Sequence, residues 1–386
     1  MNRLNELIQE LCPNGVKHVQ LSTVCDVLRG ERLIKAQLSD DGKYPVLHGG
    51  LTPMGYYSDF NRKAGTTIVV NTGNAGSVFY SDKEFWSSDA CFSLYPHNGL
   101  SDRYLFHFVL QNEPTLKGKI RTGAMPTIDV LAVETLRIPL PPLPVQQEIV
   151  RILDNFTELT AELTAELAAR RKQYEHYRDE LLTTPADSTM MALGAIADYR
   201  RGSFPQPYGN SEWYGGVGAM PFVQVADVEE NGMVLREQTK QQISVVAQPK
   251  SVYVPAGTVI CSIQGSIGKV AITQYDAYVD RTLAIFEKYK TDINKRYFAY
   301  QIQRKFGIEK EFARGSTLKT ITKEEFTKFE IPVPPITEQE RIVSVLDRFD
   351  TLCNDLTSGL PAEIAARQKQ YEYYRDKLLT FKELEG

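Results

Sequence analysis

The chain contains an internal repeat, and this repeat limits the architectures that it can adopt. The sequence IPLPPL at 138–143 recurs as IPVPPI at 331–336, 193 residues later. A longer block, 166–183, matches 363–380 at 14 of 18 positions with an offset of 197, so the second copy holds four extra residues between the blocks. Upstream matches are weaker, for example LSTVCDVLRG at 21–30 against LGAIADYRRG at 193–202. The order is therefore globule, helix, globule, helix, with similar helices and divergent globules.

The repeated blocks are predicted to be long helices that pair with each other. From 146 to 182, apolar residues recur at steps of three, four and seven, which marks one helical face. About 37 residues at about 1.5 Å each give a helix of roughly 55 Å, which is too long to stand without a partner helix. The second copy, 339–379, is the obvious partner. We therefore expect an antiparallel coiled coil, entered through the stiff proline run before each copy.

Two details of the sequence concern the length of these helices. TAEL at 160–163 repeats at once at 164–167, and four helical residues add about 6 Å. Such an insertion adjusts the length of the helix. The packed face continues across it, with a stutter in the heptad pattern. In the second copy, one further apolar step is predicted from the series Leu352, Leu356, Leu360 and Ile364. The sequence SGLP at 358–361 predicts a break or kink, with Pro361 near a new helix start.

Composition and charge exclude several protein classes. No apolar run approaches the roughly 20 residues that span a bilayer. Five scattered cysteines and five histidines without metal-ligand spacing indicate neither a disulfide framework nor a zinc site, and a reducing cytoplasm fits. The net charge is −4, but the globules 1–137 and 184–330 carry 0 and +2, while the helical blocks together carry −6. Neutral globules suit a module that specifies a DNA sequence while a partner supplies much of the phosphate contact.

Motifs for several enzyme chemistries are absent from the sequence. GSIGK at 265–269 is too short for a phosphate-binding P-loop, and Val270 follows the lysine. No GxGxxG precedes a predicted helix, and there is no NPP-aromatic or DPP-aromatic tetrad of the kind that adenine methyltransferases use. The Glu-x-Lys signature of nucleases and the GxSxG elbow of hydrolases are also missing. We therefore expect a non-catalytic protein.

The repeat, the PPLxxQ helix entry and the duplicated RxKQYExYRDxLL block together resemble the specificity subunit of type I restriction-modification systems. The resemblance covers nearly the whole chain. It implies that each globule is a target-recognition domain that reads one half of a bipartite site in double-stranded DNA. It also implies that the coiled coil sets the spacer and docks two methyltransferase (modification) subunits. S-adenosylmethionine, ATP and Mg would then belong to partners, which include restriction/translocase subunits, and this chain would hold none of them.

Candidate DNA-binding residues lie in polar, glycine-rich segments at matched places in the two globules. Base reading needs forked donors or acceptors, and paired glycines let a backbone approach phosphate closely. In the first globule the candidates are Asn71, Thr72, Asn74, Ser77, Arg121 and Thr122. In the second globule they are Gln264, Ser266, Lys269, Arg314, Ser316, Thr317 and Lys319. A simple hairpin turn or a plain surface loop is the competing interpretation of these segments.

Candidate partner-binding residues lie in the duplicated helical block. They are Tyr174, Tyr177, Arg178, Tyr371, Tyr374 and Arg375. Two copies of the block would offer two equivalent docking sites, which favours contact with a partner subunit. Packing within the coiled coil is the alternative.

These observations predict an α+β fold in which two mixed, strand-rich target-recognition domains alternate with two long antiparallel helices, related by a pseudo-twofold axis. The expected domains are 1–145, with a short N-terminal helix, and 185–338, with spacer helices at 146–184 and 339–386. The expected role is that of a cytoplasmic DNA-binding specificity subunit without membrane contact. One alternative is a methylation-only or differently organised restriction system. Others are a coiled-coil scaffold or adaptor whose globules bind protein, and an enzyme whose site the sequence does not reveal.

Overall fold

The structure is a computed structural model that describes residues 2–39, 41–183, 185–230, 233–312, 323–355 and 358–384. It divides into two compact units. The first unit contains Met1–Glu162 and Ala365–Gly386, and the second contains Leu163–Ile364. Each unit therefore combines one globule with helical residues from both copies of the repeat.

The first globule contains a four-stranded antiparallel sheet, a three-stranded sheet and a two-stranded sheet. Its elements are α1 Asn2–Leu11, β1 His18–Gln20, β2 Cys25–Arg29, β3 Tyr44–Leu47, β4 Gly55–Tyr57, β5 Thr66–Val70, β6 Val78–Ser81, β7 Trp86–Ser87, β8 Cys91–Pro96, α2 Asp102–Gln111, α3 Glu113–Lys117, α4 Val130–Glu134 and β9 Arg137–Pro139. The strand orders are β2-β8-β5-β6, β4-β3-β7 with β3 and β7 parallel, and β1-β9. Because the apolar strand β5 is buried along its whole length, the turn that follows it is anchored in the core.

The second globule repeats this arrangement after the long helix α5 Leu143–Thr183. Its elements are β10 Thr189–Ala192, α6 Leu193–Ile196, β11 Ala197–Arg201, β12 Met220–Val223, β13 Gln241–Ile243, β14 Val252–Val254, β15 Val259–Ser262, β16 Val270–Ile272, β17 Ala277–Val279, β18 Leu283–Tyr289, α7 Lys295–Phe312, α8 Lys323–Lys328 and β19 Glu330–Val333. The strand orders are β11-β18-β15-β16, β13-β12-β17-β14 and β10-β19. The parallel pair β12 and β17 corresponds to β3 and β7. The weak upstream sequence matches therefore reflect a shared fold.

The helices of the two copies pair antiparallel within each unit, as predicted. The second copy forms α9 Ile336–Asn354 and α10 Leu360–Leu378. In the first unit the beginning of α5 meets the end of α10, where the rings of Phe156 and Tyr374 stack with centroids 5.3 Å apart. In the second unit the end of α5 meets α9, where the rings of Tyr177 and Phe349 lie 5.8 Å apart. Each pairing buries apolar residues that a lone helix of this length would expose.

The break in the second copy lies where the SGLP sequence predicted it. A Cβ on Gly359 would lie 2.5 Å from the carbonyl oxygen of Thr351, so the chain folds back closely there. Pro361 follows in the first turn of α10, where its missing N–H costs no hydrogen bond. The further apolar step of this copy runs through the same interval, and its residue Leu356 lies outside the described residues.

A buried glutamine fixes the start of each repeated helix to its globule. The side chain of Gln146 is fully buried. It donates to two backbone carbonyl oxygens at 2.8 Å and accepts from a backbone N–H at 2.9 Å. Gln339 is equally buried, donates to the carbonyl oxygen of Pro334 at 2.8 Å and accepts from the N–H of Asn294 at 2.8 Å. The glutamine shared by the two helix entries therefore has the same structural role twice.

Replacing Gln146 by Leu should destabilise the first unit. The change leaves buried backbone groups without partners, at about 1–3 kcal/mol for each group, so we expect a loss of about 2–4 kcal/mol in the free energy of unfolding. Urea unfolding followed by tryptophan fluorescence measures this in a Trp213→Phe background, where Trp86 reports on the first unit. Gln147→Leu, at the exposed neighbouring position, is the control and should change stability by less than about 0.5 kcal/mol. Equal losses from both changes would contradict the assignment.

Candidate nucleic-acid interface

In the first globule, the turn between β5 and β6 is in close backbone contact with two neighbouring loops. Gly73 adopts a φ of 92°, a conformation that favours glycine. Its N–H donates to the carbonyl oxygen of Pro126 at 3.1 Å. A Cβ added to Gly49 would lie 2.1 Å from the carbonyl oxygen of Thr72. The turn is therefore fixed by its surroundings, unlike a free hairpin loop.

The two candidate segments of the first globule, remote in sequence, lie together. Thr72 and Arg121 each form a backbone bridge with Thr127. The Arg121 N–H donates to the carbonyl oxygen of Thr127 at 2.8 Å, and the Ile128 N–H donates to that of Asn71 at 2.8 Å. The segments thus form one surface.

An open cleft of about 590 Å³ adjoins this surface. Its polar lining includes Arg29, Asn71, Thr72, Arg121, Asp129 and Glu134. The Arg121 side chain is 75% exposed and donates to the carboxylate of Asp129 at 3.2 Å. Arg29 donates from Nε to the carbonyl oxygen of Asp89 at 2.9 Å. Since a guanidinium carries five N–H donors, both arginines keep donors for a ligand.

The other candidates of the first globule differ in exposure. Asn71 and Ser77 are buried, and Asn71 donates from Nδ2 to the carbonyl oxygen of Asp89 at 3.3 Å. The Oδ1 atom of Asn71 has no partner within the part of the chain that the structure describes. Asn74 and Thr122 are exposed but do not line the cleft. Within this set, Arg121 is therefore the candidate that combines exposure with a place in the cleft, and Thr72 lines the cleft with a half-buried side chain.

The glycine turn of the second globule occupies the matching place between β15 and β16. Gly265 and Gly268 have φ values of 78° and 88°. The Ser262 hydroxyl accepts from the Lys269 N–H at 2.9 Å and donates to the carbonyl oxygen of Ser266 at 2.5 Å, which holds the turn closed. Gln264 and Ser266 are exposed at its tip. The backbone of the turn is thus shared between the globules, while its side chains differ.

Lys269 faces a cleft of about 630 Å³ with mixed charge in the second unit. Its Nζ donates to the carbonyl oxygen of Val228 at 3.3 Å and lies 3.7 Å from the carboxylate of Glu230. Arg178, Asp179, Glu229 and Arg304 also line this cleft. The lysine is therefore partly neutralised by its surroundings. The remaining candidates of this globule, Arg314, Ser316, Thr317 and Lys319, lie outside the described residues.

The helical candidates of the first unit are packed against the first globule. The Tyr371 hydroxyl lies 3.1 Å from Nδ1 of His107, and Nε2 of that ring lies 2.8 Å from the carboxylate of Asp154. The guanidinium of Arg375 lies over the Tyr371 ring, 5.7 Å from its centroid. Burial raises the pKa of Tyr371 to about 12, so this hydroxyl stays neutral at ordinary pH. The tail of the second copy is thus fixed to the first globule.

The helical candidates of the second unit have equivalent positions. Tyr174 lies beside Tyr300, whose hydroxyl donates to the carboxylate of Asp347 at 2.7 Å. Arg178 lies over the Tyr174 ring at 5.8 Å. Burial raises the pKa of Tyr174 to about 12. In both units, therefore, both tyrosines and the arginine of the duplicated block already have contacts inside the chain, and Tyr177 is 38% exposed.

Comparison with known proteins identifies the family. The family profile described as the type I restriction modification DNA specificity domain matches residues 13–170 and 185–366. A putative type I restriction enzyme specificity subunit of Haemophilus influenzae is 30% identical over 94% of each chain. A specificity subunit of an Escherichia coli type I restriction enzyme is 37% identical over 62% of this chain and 60% of its own length. The crystal structure of the S subunit from M. genitalium is similar in fold, with a TM-score of 0.61 at 16% identity over 94% of this chain and 96% of that chain.

The chain belongs to the type I restriction-modification specificity family. Its role is accordingly to provide DNA sequence specificity within a type I complex, and it is a non-catalytic component. Within the described residues, no group of three or more His, Cys, Asp and Glu side chains is placed to hold a metal ion. No helix in those residues is long and apolar enough to cross a membrane.

Arg29 is a cleft residue of this specificity chain that sequence reasoning missed. It precedes Gly30, where a Cβ would lie 2.2 Å from the carbonyl oxygen of Ser88. Gly202 in the second globule has the same close approach, 2.2 Å from the carbonyl oxygen of Val279. An Arg-Gly pair ends both upstream repeat segments, and this shared pair was the signal that could have identified Arg29. A glycine that packs this closely against a neighbouring backbone fixes the position of the arginine before it.

The environment of His107 predicts a loss of stability as the pH falls. Burial lowers the pKa of His107, and this effect outweighs the hydrogen bond to Asp154. The folded state then binds fewer protons than the unfolded state below about pH 6.5, so stability falls as the pH drops through that value. The pKa of Asp154 is also lowered, because hydrogen bonds from His107 and Arg103 outweigh its burial; its contribution is lost only below its ordinary pKa of 3.8.

We expect thermal unfolding of the first unit to occur at a lower temperature at pH 5.5 than at pH 7.5. Fluorescence of Trp86 in the Trp213→Phe background reports this unit. His107→Gln is the matched variant, because glutamine offers a donor and an acceptor without titrating in this range. It should reduce the difference between the two pH values. An unchanged difference in the variant would show that another group causes it.

Proposed function

We propose that each globule reads one half of a bipartite site in double-stranded DNA and that the repeated helices set the spacer between the halves. One observation carries this proposal: the 71–77 and 121–127 segments are bridged through their backbones and lie beside one open cleft. The exposed side chains of Arg29 and Arg121 line that cleft. Arginine forks match both guanine edges and phosphate oxygens. Membership in the specificity family supports DNA as the ligand.

The candidate residues have different roles in this proposal. Asn71 and Ser77 hold the turn from inside, whereas Thr72, Asn74, Arg121 and Thr122 make the DNA contacts of the first globule. In the second globule, Gln264 and Ser266 read bases from the tip of the turn, and Lys269 is released from Glu230 to bind phosphate. Arg314, Ser316, Thr317 and Lys319 contribute as the sequence counterpart of the 121–127 segment. For the described residues, this division follows their exposure in the structure.

Partner subunits supply what this chain lacks. Two modification subunits, with S-adenosylmethionine, bind the helical blocks, and restriction/translocase subunits, with ATP and Mg, complete a cytoplasmic complex. The near-neutral globules support this arrangement. Non-specific phosphate contact scales with the number of basic groups, and carboxylates such as Asp129 and Glu134 offset the arginines in the cleft. We expect the chain alone to bind DNA weakly and the assembled complex to bind tightly.

Replacing Arg121 by Ala should weaken binding of the assembled complex to its DNA target. A lost phosphate contact lowers the slope of log K against log salt by about 0.9, and a lost base contact costs about 1–3 kcal/mol at one base pair. Titration of a labelled duplex at several salt concentrations measures both effects. Arg137→Ala, which removes an exposed arginine paired with Glu383 away from the cleft, is the control. Equal losses for both variants would contradict the assignment of the cleft.

Deleting 164–167 should shorten the recognised spacer. The deletion removes four residues from α5, about 6 Å of helix against about 3.4 Å per base pair, so the spacer should lose one or two base pairs. Both half-motifs should stay unchanged. Mapping methylated adenines in DNA from cells that carry the variant gives the result. A changed half-motif with an unchanged spacer would show that the helix is not the ruler.

A further inference from the structure

The loop that leads into β8 and its counterpart that leads into β18 have matching backbone hydrogen bonds. In the first globule these bonds run from the N–H groups of Gly30, Glu31, Asn71 and Ser88 to the carbonyl oxygens of Cys91, Ser87, Ala90 and Leu47, at 2.8–3.0 Å. In the second they run from Gly202, Ser203, Ile263 and Asp280 to Leu283, Val279, Thr282 and Val223, at 3.0–3.1 Å. Since the spacing within the two loops is identical, Asp89 in the first globule corresponds to Arg281 in the second.

The matched position carries an acidic residue in one globule and a basic residue in the other. The side chain of Asp89 is half-buried and that of Arg281 is exposed. A carboxylate only accepts hydrogen bonds, whereas a guanidinium only donates them. One backbone scaffold therefore presents an acceptor in the first globule and a donor in the second.

In the first globule, this position adjoins the open cleft. The carbonyl oxygen of Asp89 accepts from Nε of Arg29 at 2.9 Å and from Nδ2 of Asn71 at 3.3 Å, and both of these residues line the cleft. Among the described residues, the Asp89 carboxylate has no hydrogen bond and no ion pair. Because a carboxylate repels phosphate, an acceptor at this place suits an amino group on a base edge.

In the second globule, Arg281 is held beside the glycine turn. The Ile263 N–H donates to the carbonyl oxygen of Thr282 at 3.0 Å, which places Arg281 next to the start of that turn. The Arg281 guanidinium lies over the ring of Tyr208, 5.2 Å from its centroid, and the Tyr208 hydroxyl donates to the carboxylate of Asp280 at 2.5 Å. These contacts limit the orientations of the guanidinium. Since it carries five N–H donors, it keeps donors for a ligand.

We infer that Asp89 and Arg281 are equivalent base-reading residues that select bases of opposite hydrogen-bonding character. Asp89 accepts from the N4 amino group of a cytosine, and Arg281 donates its fork to O6 and N7 of a guanine. Adenine is disfavoured at Asp89, because its N7 acceptor lies next to its amino group and repels a carboxylate. The inference rests on the proposed function, in which each globule reads one half of the site. It assigns the residue by which one shared scaffold selects different bases in the two halves.

Exchange variants test these two residues. The full chain, assembled with its modification subunit, selects duplexes from a randomised pool, and the bound duplexes are sequenced. Asp89→Arg should change one base in the half-motif of the first globule from cytosine to guanine, because the second globule already carries an arginine on this backbone. Arg281→Asp should make the reverse change in the other half-motif. In each variant, the half-motif of the unaltered globule should stay the same.

Milder variants give the size of the effect. Arg281→Ala should reduce the preference for guanine at that base pair by about 5- to 150-fold, which is the discrimination supplied by one bidentate pair. Asp89→Asn should reduce the preference for cytosine, because an amide offers a donor as well as an acceptor and so admits other bases. Where an exchange variant does not fold, as judged by circular dichroism, the milder variant at the same position decides the outcome.

The matched controls are Asp26→Asn and Arg200→Ala, and both should leave the two half-motifs unchanged. The Asp26 carboxylate lies 3.2 Å from the His97 ring, and the Arg200 guanidinium lies 2.6 Å from the Glu287 carboxylate. Folded variants of the two proposed residues that select the wild-type half-motifs would overturn this inference alone. So would an equal loss of binding to all sequences, which indicates a structural role or a phosphate contact. A wild type that selects no bipartite sequence would overturn the proposed function and this inference together.

Discussion

The attachment of each repeated helix to its globule is the constraint on which the rest of the structure depends. Gln146 and Gln339 have no exposed surface, and their amides bond the backbone on both sides of the helix entry. Tyr104 and Tyr297 add a second bond at each entry, to the carbonyl oxygens of Pro139 and Pro332 at 3.1 Å and 2.9 Å. Buried polar groups are costly when unpaired, so these bonds permit one orientation of helix against globule. The direction in which each helix leaves its globule is thereby set.

The second constraint joins the two copies. Each unit contains the start of one helical copy and the end of the other, as the paired rings of Phe156 and Tyr374 and of Tyr177 and Phe349 show. Arg103 with Asp154, at 2.9 Å, and Arg296 with Asp347, at 2.7 Å, place an ion pair next to each of these junctions. Neither globule completes its unit with its own helix alone. This mutual dependence gives a physical reason why the helices have stayed similar while the globules have diverged.

The proposed interface shows how a neutral globule can serve recognition. Its arginines lie among carboxylates and backbone carbonyl groups that orient them, and the cleft therefore offers directed donors without a large positive field. Directed donors discriminate between bases, whereas a large positive field would favour any duplex equally. In the proposed function, the chain therefore depends on its partners for affinity and contributes the choice of sequence.

The sequence by itself determined the alternation of globules and helices, the antiparallel pairing and the break at SGLP, because repeats, helical periodicity and glycine-proline signals are local patterns. It also located the glycine turns, in which Gly73, Gly76, Gly265 and Gly268 adopt positive φ. Only the tertiary structure decided that Asn71 and Ser77 are buried, that Arg29 joins Arg121 at one cleft, and that Tyr174 and Tyr371 point into their units. Those outcomes depend on contacts between residues far apart in the chain, such as His107 with Tyr371, and no local spacing encodes them.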